Sequence, residues 1–379
     1  MKKISCISLI LLVTVLCWSC KKDNTPSVPT YTDSTSYNYP NANYNTQLYI
    51  LAMADQLVAE INLANTIPGT PVSEQTLINM FNNTGSPFND SALNLNGSGL
   101  ALVNYCPAAI KTDLLNYFDS IGVYSQSTTA GSAGVAGVSP SLVAGKDYLL
   151  SPNGIFYSQV VKKAIMGMCA YQIANVYMAD SINSTTDTSV LGHYWDAAFG
   201  FFGVAPNFPS NVTSPKPRYF GSYSNQVDPG LHSNSSIMNA FLEGRAAINH
   251  NDLVTMKTQA NILIHTFDSL DAAAIVQEMH ETETNINNGD VVMAYGTLSE
   301  SQGFCRNLRY NTGARVITDA QIDTLLALYD NVNPNIPNLY NFVGVSQGLS
   351  AAQVEAKTNA IAQYIGQVYG FSSTELPLL

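Results

Sequence analysis

The 379-residue chain sets 27 acidic against 16 basic side chains, a formal net charge of −11 at neutral pH. That balance repels phosphate backbones and excludes nucleic acid as a partner. Only 11% of residues are charged, while Asn, Ser, Thr and Tyr are abundant. Such a surface of neutral polar groups suits an extracytoplasmic protein, and the length allows a sizeable core in one domain or two fused sub-bundles.

The chain opens with Lys2 and Lys3, followed by an apolar run from Ile4 to Leu16. This pattern reads as a signal peptide. The run is shorter than the roughly 20 apolar residues that cross a bilayer. Ser19 supplies the small residue before Cys20, so residues 1–19 are expected to be removed and Cys20 to carry a lipid anchor. Cys17 and Trp18 depart from the usual lipoprotein box, which leaves a plain signal peptide as the competing reading. Residues 20–45, beginning Cys-Lys-Lys-Asp and rich in Ser, Thr, Pro, Asn and Tyr, read as a tether. Residues 46–379 are expected to form a helical-bundle domain.

Within that domain, apolar spacings of three and four predict a surface helix over 47–63. A second helix over 73–81 starts at Ser73 as N-cap, and a third spans 111–124. The Gly/Ala/Ser-rich stretch 125–145 has no period and reads as a flexible excursion. Residues 155–178 are apolar around most of the circumference, which predicts the central, enclosed helix of the bundle. Lys162, Lys163 and Gln172 interrupt it too often for a membrane span. A short aromatic helix over 192–203 leads into a long Pro/Asn/Gly/aromatic loop over 204–234, expected to pack on the body through Phe208, Tyr219, Phe220 and Tyr223. Helices resume over 236–248, 251–284, 289–309, 318–329 and 350–369, and Thr318 with Gln321 has the form of a capping box. No alternating β-branched run is evident. The fold class is all-α: a helical bundle with two long irregular excursions.

Candidate chemistry is sparse. His193 and Asp196 lie three apart and share a helix face, a spacing that suits two ligands of one metal or an Asp orienting a His. Iron or zinc would need a further His or carboxylate from another helix. The plainer reading is a helix-start histidine bonded to Asp196 inside an aromatic cluster. His280 and Glu283 repeat the spacing near Glu278, where solvated charge is the plainer account. His280-Glu281-Thr282-Glu283-Thr284 lacks the second histidine of a zinc-protease helix. Glu243 and Arg245, two apart, point to different faces; Arg245 could clamp a carboxylate or form a structural ion pair. His232, His250 and His265 read as loop, helix-end and core residues. Cys169 reads as a buried thiol, and Cys106 with Cys305 is a conceivable disulfide. No nucleophile elbow, P-loop or dinucleotide fingerprint occurs.

Three stretches carry a resemblance: Tyr148 to Gly154, Gly192 to Gly203 with its His193-Tyr194-Trp195-Asp196 core, and Ala240 to Ile248. Together they are similar to an uncharacterised Bacteroidota lipoprotein family across nearly all of the mature chain. Ala197 stands where that family usually has Glu. More distantly the chain resembles the imelysins, paired helical-bundle envelope proteins linked to iron uptake, whose Gly-x-His-x-x-Glu motif is only roughly echoed by Gly192, His193 and Asp196. The resemblance implies an imelysin-like bundle and a non-enzymatic binding role at the outer membrane, on the cell surface or the periplasmic face, with a small ligand, a metal or a metal complex. Metal-dependent hydrolysis, as in the classification of imelysins as peptidases, is the alternative. A scaffold for outer-membrane uptake proteins, with 204–234 as its contact surface, is the third reading.

Overall fold

The computed structural model describes residues 31, 33–67, 69–89, 93–311, 313, 315–330 and 336–379. The expected signal peptide, Cys20 and part of the expected tether lie outside the described residues. Among those described, the protein is an all-α bundle of twelve α-helices with a single two-stranded sheet.

Helix α1 (Asn45–Asn62) packs on α2 (Glu74–Asn82), which leads to α3 (Ala108–Tyr124). A hairpin of β1 (Gly137–Pro140) and β2 (Asp147–Leu150) precedes α4 (Tyr157–Tyr171), which continues into a π-helical stretch, Gln172–Asp180. The second part holds α5 (Thr188–Phe202), α6 (Phe220–Leu231), α7 (Ser233–Asn249), the 35-residue α8 (Leu253–Asn287) and α9 (Val291–Tyr310). Helices α10 (Asp319–Ala327), α11 (Leu339–Val343) and α12 (Ala351–Tyr369) complete the chain.

The axis of the bundle is α8, and this corrects the expectation that 155–178 would be central. At 1.5 Å per residue α8 runs about 52 Å and packs against α6, α7, α9, α12 and the π-helical stretch. Leu270, Ala272, Ala273, Ala274, Ile275, Val276 and Met279 in its middle are all buried. Asp268, Asp271 and Glu278 on the same helix are buried too. The helix over 155–178 is still enclosed, but it lies beside α8 rather than at the hub.

Two stretches expected to be irregular carry regular structure. Within 125–145 strand β1 pairs antiparallel with β2, from Gly137 opposite Leu150 to Pro140 opposite Asp147. Each strand has four residues, and the approach is so close that a Cβ on Gly137 would meet the Thr129 carbonyl oxygen at 1.8 Å. A hairpin this short, without β-branched alternation, leaves little pattern to read. The 204–234 loop is likewise irregular only to Tyr219. From Phe220 the chain is helical, with Phe220, Tyr223 and Val227 buried along one stripe and Pro229 in the last turn. Pro and Asn in that stretch masked a spacing of three and four.

Thr318 and Gln321 form the capping box expected of them, and Ser350 with Gln353 forms a second. Residues 33–45 of the stretch expected as tether lie among the described residues. Tyr37 and Tyr39 are buried against the bundle ahead of α1, and the compact unit begins at Tyr31.

A polar cleft at the joint of two helices

Helix α5 begins where Asp187 accepts a hydrogen bond from the Ser189 amide, and it ends at Gly203, which has φ 74°. Its inner face meets α7 at contacts that demand small residues. A Cβ on Gly244 would sit 1.9 Å from the Trp195 ring, and one on Gly192 would sit 3.1 Å from the Arg245 guanidinium. Trp195 Nε1 donates to the Phe241 carbonyl at 2.9 Å. The Tyr37 ring stacks on Phe199 with centroids 3.8 Å apart, and Phe241 meets Phe199 edge to face.

Asp196 lies at the centre of this joint and is 1% exposed. Its Oδ1 accepts from Tyr37 Oη at 2.7 Å and from Arg245 Nε at 3.0 Å, while Oδ2 accepts from the Asn43 amide at 3.1 Å. Arg245, 6% exposed, also donates through Nη1 to Asn249 and lies 5.3 Å over the Tyr39 ring. Burial first, and then the Asp196 charge, holds the Tyr37 hydroxyl well above its usual range. A buried carboxylate and guanidinium lose hydration that only good geometry restores, and four partners provide it here.

A cleft of about 600 Å³ opens over this pair, lined by Asn43, Ser189, His193, Asp196, Arg245 and Asn249 among others. His193 is exposed at its edge and makes no hydrogen bond to Asp196, because the carboxylate turns inward to Arg245. The expected His193–Asp196 pairing is therefore replaced by an Asp196–Arg245 pairing across two helices. Arg245 Nη2 makes no hydrogen bond to any described residue. The cleft thus offers a fixed positive charge, an imidazole, hydroxyls and amides: donors for an anion or a polyoxygenated ligand.

The other candidate residues stand elsewhere. Glu243 accepts from Gln259 Nε2, on the far side of α7 from Arg245. His280 Nδ1 bonds to the Leu379 carbonyl oxygen at 3.1 Å, and Glu283 accepts from Thr358 Oγ1. The expected metal set drawn from His193, Asp196, Glu243, His280 and Glu283 is thus not assembled. No three His, Cys, Asp or Glu side chains among the described residues are placed to hold a metal ion. Cys106 and Cys305 are free thiols rather than a disulfide; Cys305 is buried and contacts Tyr329 Oη at 3.4 Å. His265, expected in the core, is exposed on α8.

A family profile described as "Domain of unknown function (DUF4856)" matches residues 38–372, taking in every helix from α1 to α12. The chain belongs to the DUF4856 family. No curated protein and no solved structure matches it.

The DUF4856 domain holds a second polar constellation that sequence reading missed. Lys163, fully buried, pairs with Glu300 and donates to Tyr223 Oη at 2.7 Å. Tyr223 Oη lies 2.6 Å from both Glu278 Oε1 and Glu300 Oε2. A phenol has one proton to give, so one of the two acids must donate to it. Burial, and then the Glu300 charge, pushes the Glu278 carboxyl well up, so Glu278 is the protonated acid. Burial also acts against ionised Glu300, but the Lys163 charge and the hydrogen bonds from Lys163 and Tyr223 outweigh it and hold that carboxyl low. The result is one cation, one anion and one neutral acid around a single phenol. Lys163 had read only as an interruption of an apolar helix, and Glu278 as solvated charge. A lysine inside an otherwise buried face was the available signal.

Proposed function

We propose that this protein is an envelope-anchored lipoprotein that binds a small anionic or polyoxygenated ligand in the cleft between α5 and α7, without chemical turnover. The single observation that carries the reading is Arg245. Its guanidinium is fixed by Asp196 and Asn249, lines the cleft, and keeps Nη2 without a partner among the described residues. Such a pre-organised donor suits a carboxylate or phosphate oxygen. The same positive charge disfavours a bare cation beside His193, so any iron-linked role is better served by a chelated metal that carries negative charge.

The resemblance of the Gly192 to Gly203 stretch to imelysins and to Bacteroidota lipoproteins supports an outer-membrane setting, with Cys20 as the lipidated residue. Hydrolysis draws no support from the cleft, where no third metal ligand stands near His193 among the described residues.

Citrate and ferric citrate are suitable probes for calorimetry on the full chain in detergent. Saturable binding that weakens about tenfold in Asn249→Asp is expected, because the introduced carboxylate would still accept from Arg245 but would add a negative charge to the cleft. Equal binding by the variant, or none by the parent chain, refutes the site. Incorporation of labelled palmitate that persists in Cys20→Ala refutes the anchor.

A further inference from the structure

A second cleft, of about 530 Å³, lies between α3, α4, α9 and α10, away from the α5–α7 joint. Arg306 and Arg309, three residues apart on α9, both line it, with Asp113 as the one acid among the described lining residues. With Asp323, which pairs with Arg309 at the rim, the charges around the cleft balance, so it carries no negative excess in a chain of formal charge −11. Asp113 is already engaged: Tyr310 Oη donates to it, and Arg306 Nη1 stands 3.9 Å from the same oxygen. Arg309 pairs with Asp323 at the rim. Tyr117, 8% exposed, has a buried hydroxyl that completes no hydrogen bond to a described residue. Burial pushes that hydroxyl up, and the Arg306 charge opposes the rise; both groups line the cleft. A buried hydroxyl left without an acceptor for its proton is costly, and a bound oxygen would relieve it. The lining also has an apolar part, formed by Ile155, Val160, Leu326 and the Tyr157 ring, whose centroid is 5.6 Å from that of Tyr117. Concave sites of this size between bundle helices, mostly apolar with a few convergent polar groups, are typical of small-ligand pockets.

We propose that this cleft is a binding site for a small organic carboxylate, with the carboxylate at Arg306 and Tyr117 and an apolar body against Tyr157, Val160 and Leu326. The charge of Arg306 selects an anion. The apolar part of the lining selects a ligand with one hydrophobic end, which separates this site from the cleft at Arg245, where Ile248 is the one apolar residue among the described lining.

Benzoate and its neutral analogue benzamide test the assignment by ligand-observed NMR and calorimetry on the full chain in detergent. Benzoate is expected to bind saturably, and benzamide about tenfold more weakly or worse. Tyr117→Phe removes one unsatisfied oxygen, so its unfolding midpoint should hold or rise while its benzoate affinity falls about fivefold. His193→Ala, an exposed change in the other cleft, should leave benzoate binding unchanged. The proposal is overturned if benzoate fails to bind, if benzamide binds equally well, if Tyr117→Phe keeps the parent affinity, or if His193→Ala abolishes binding.

Discussion

Gly244 and Trp195 are in contact so closely that a methyl group on the glycine would fall 1.9 Å from Cζ2 and 2.4 Å from Cη2 of the indole. No rotamer of a fully buried tryptophan escapes this, since its Nε1 is tied to the Phe241 carbonyl. Gly244→Ala must therefore separate α5 from α7. A loss of about 3 kcal/mol is expected, read from urea unfolding followed by circular dichroism. A loss under about 0.5 kcal/mol would mean that the joint is looser than this contact implies.

Asp196 and Arg245 should be far more costly to break than to replace. Asp196→Ala strands a buried guanidinium and is expected to cost about 3–5 kcal/mol. Asp196→Leu combined with Arg245→Met removes both charges together and should recover much of that loss. If the double variant is no more stable than Asp196→Ala, the pair contributes through shape rather than charge.

At the Lys163 cluster the Glu300 contribution to the pH dependence should change sign on mutation, beside the falling contribution of the raised Glu278. In the parent chain the Glu300 carboxyl is held low, so its contribution to stability is present above its usual range and is lost as pH falls. Lys163→Met removes the cation, lifts Glu300, and turns the slope around: the variant should lose least at about pH 5 and most at about pH 8. The expected cost near neutrality is about 3–5 kcal/mol. Parallel stability–pH curves for parent and variant would contradict the assignment of Glu300 as the ionised acid.

Asp268 gives a pH effect that is present in the parent chain. Burial raises its carboxyl to about 6 from the usual 3.8, despite the hydrogen bond it accepts from the Val316 amide. Asp271, one turn on, is raised as well, by burial and then by the Asp268 charge. Between about pH 4 and pH 6 the folded chain holds more protons than the unfolded one, so this contribution falls as pH rises through that window. Asp268→Asn should stabilise by about 2 kcal/mol near pH 7 and hardly at all near pH 4. The same gain at both pH values would rule out titration as the cause.

Local features were legible in the sequence, and long-range ones were not. Apolar spacing located most of the helices but not α6 or α11, and Thr318 with Gln321 announced its own cap. Arg245 was legible as a carboxylate clamp, but its partner Asp196 lies 49 residues away on another helix, and no local spacing connects them. His193 drew attention because it shares a helix face with Asp196, whereas the polar contacts at that part of α5 are made by the carboxylate one turn later. Glu278 read as solvated charge because residue type alone says nothing about what surrounds a side chain. Tyr37 and Asn43 lay in what read as tether, and only tertiary contact with Asp196 makes them part of the body.

The segment ahead of α1 is fastened at several points in chain order. Tyr31 Oη bonds to Asp252 and its ring stacks on His250, Asp33 meets His250, Tyr37 and Asn43 meet Asp196, and Tyr39 bonds to the Leu242 carbonyl. In mechanical terms these are latches in series. A pull applied upstream of Tyr31 loads the outermost and most exposed pair first, and reaches the buried Tyr37–Asp196 contact only after the Tyr31 and Asp33 contacts have opened. Tension from whatever holds the upstream chain would thus be absorbed at the rim of α7 before it could disturb the ion pair beneath the cleft.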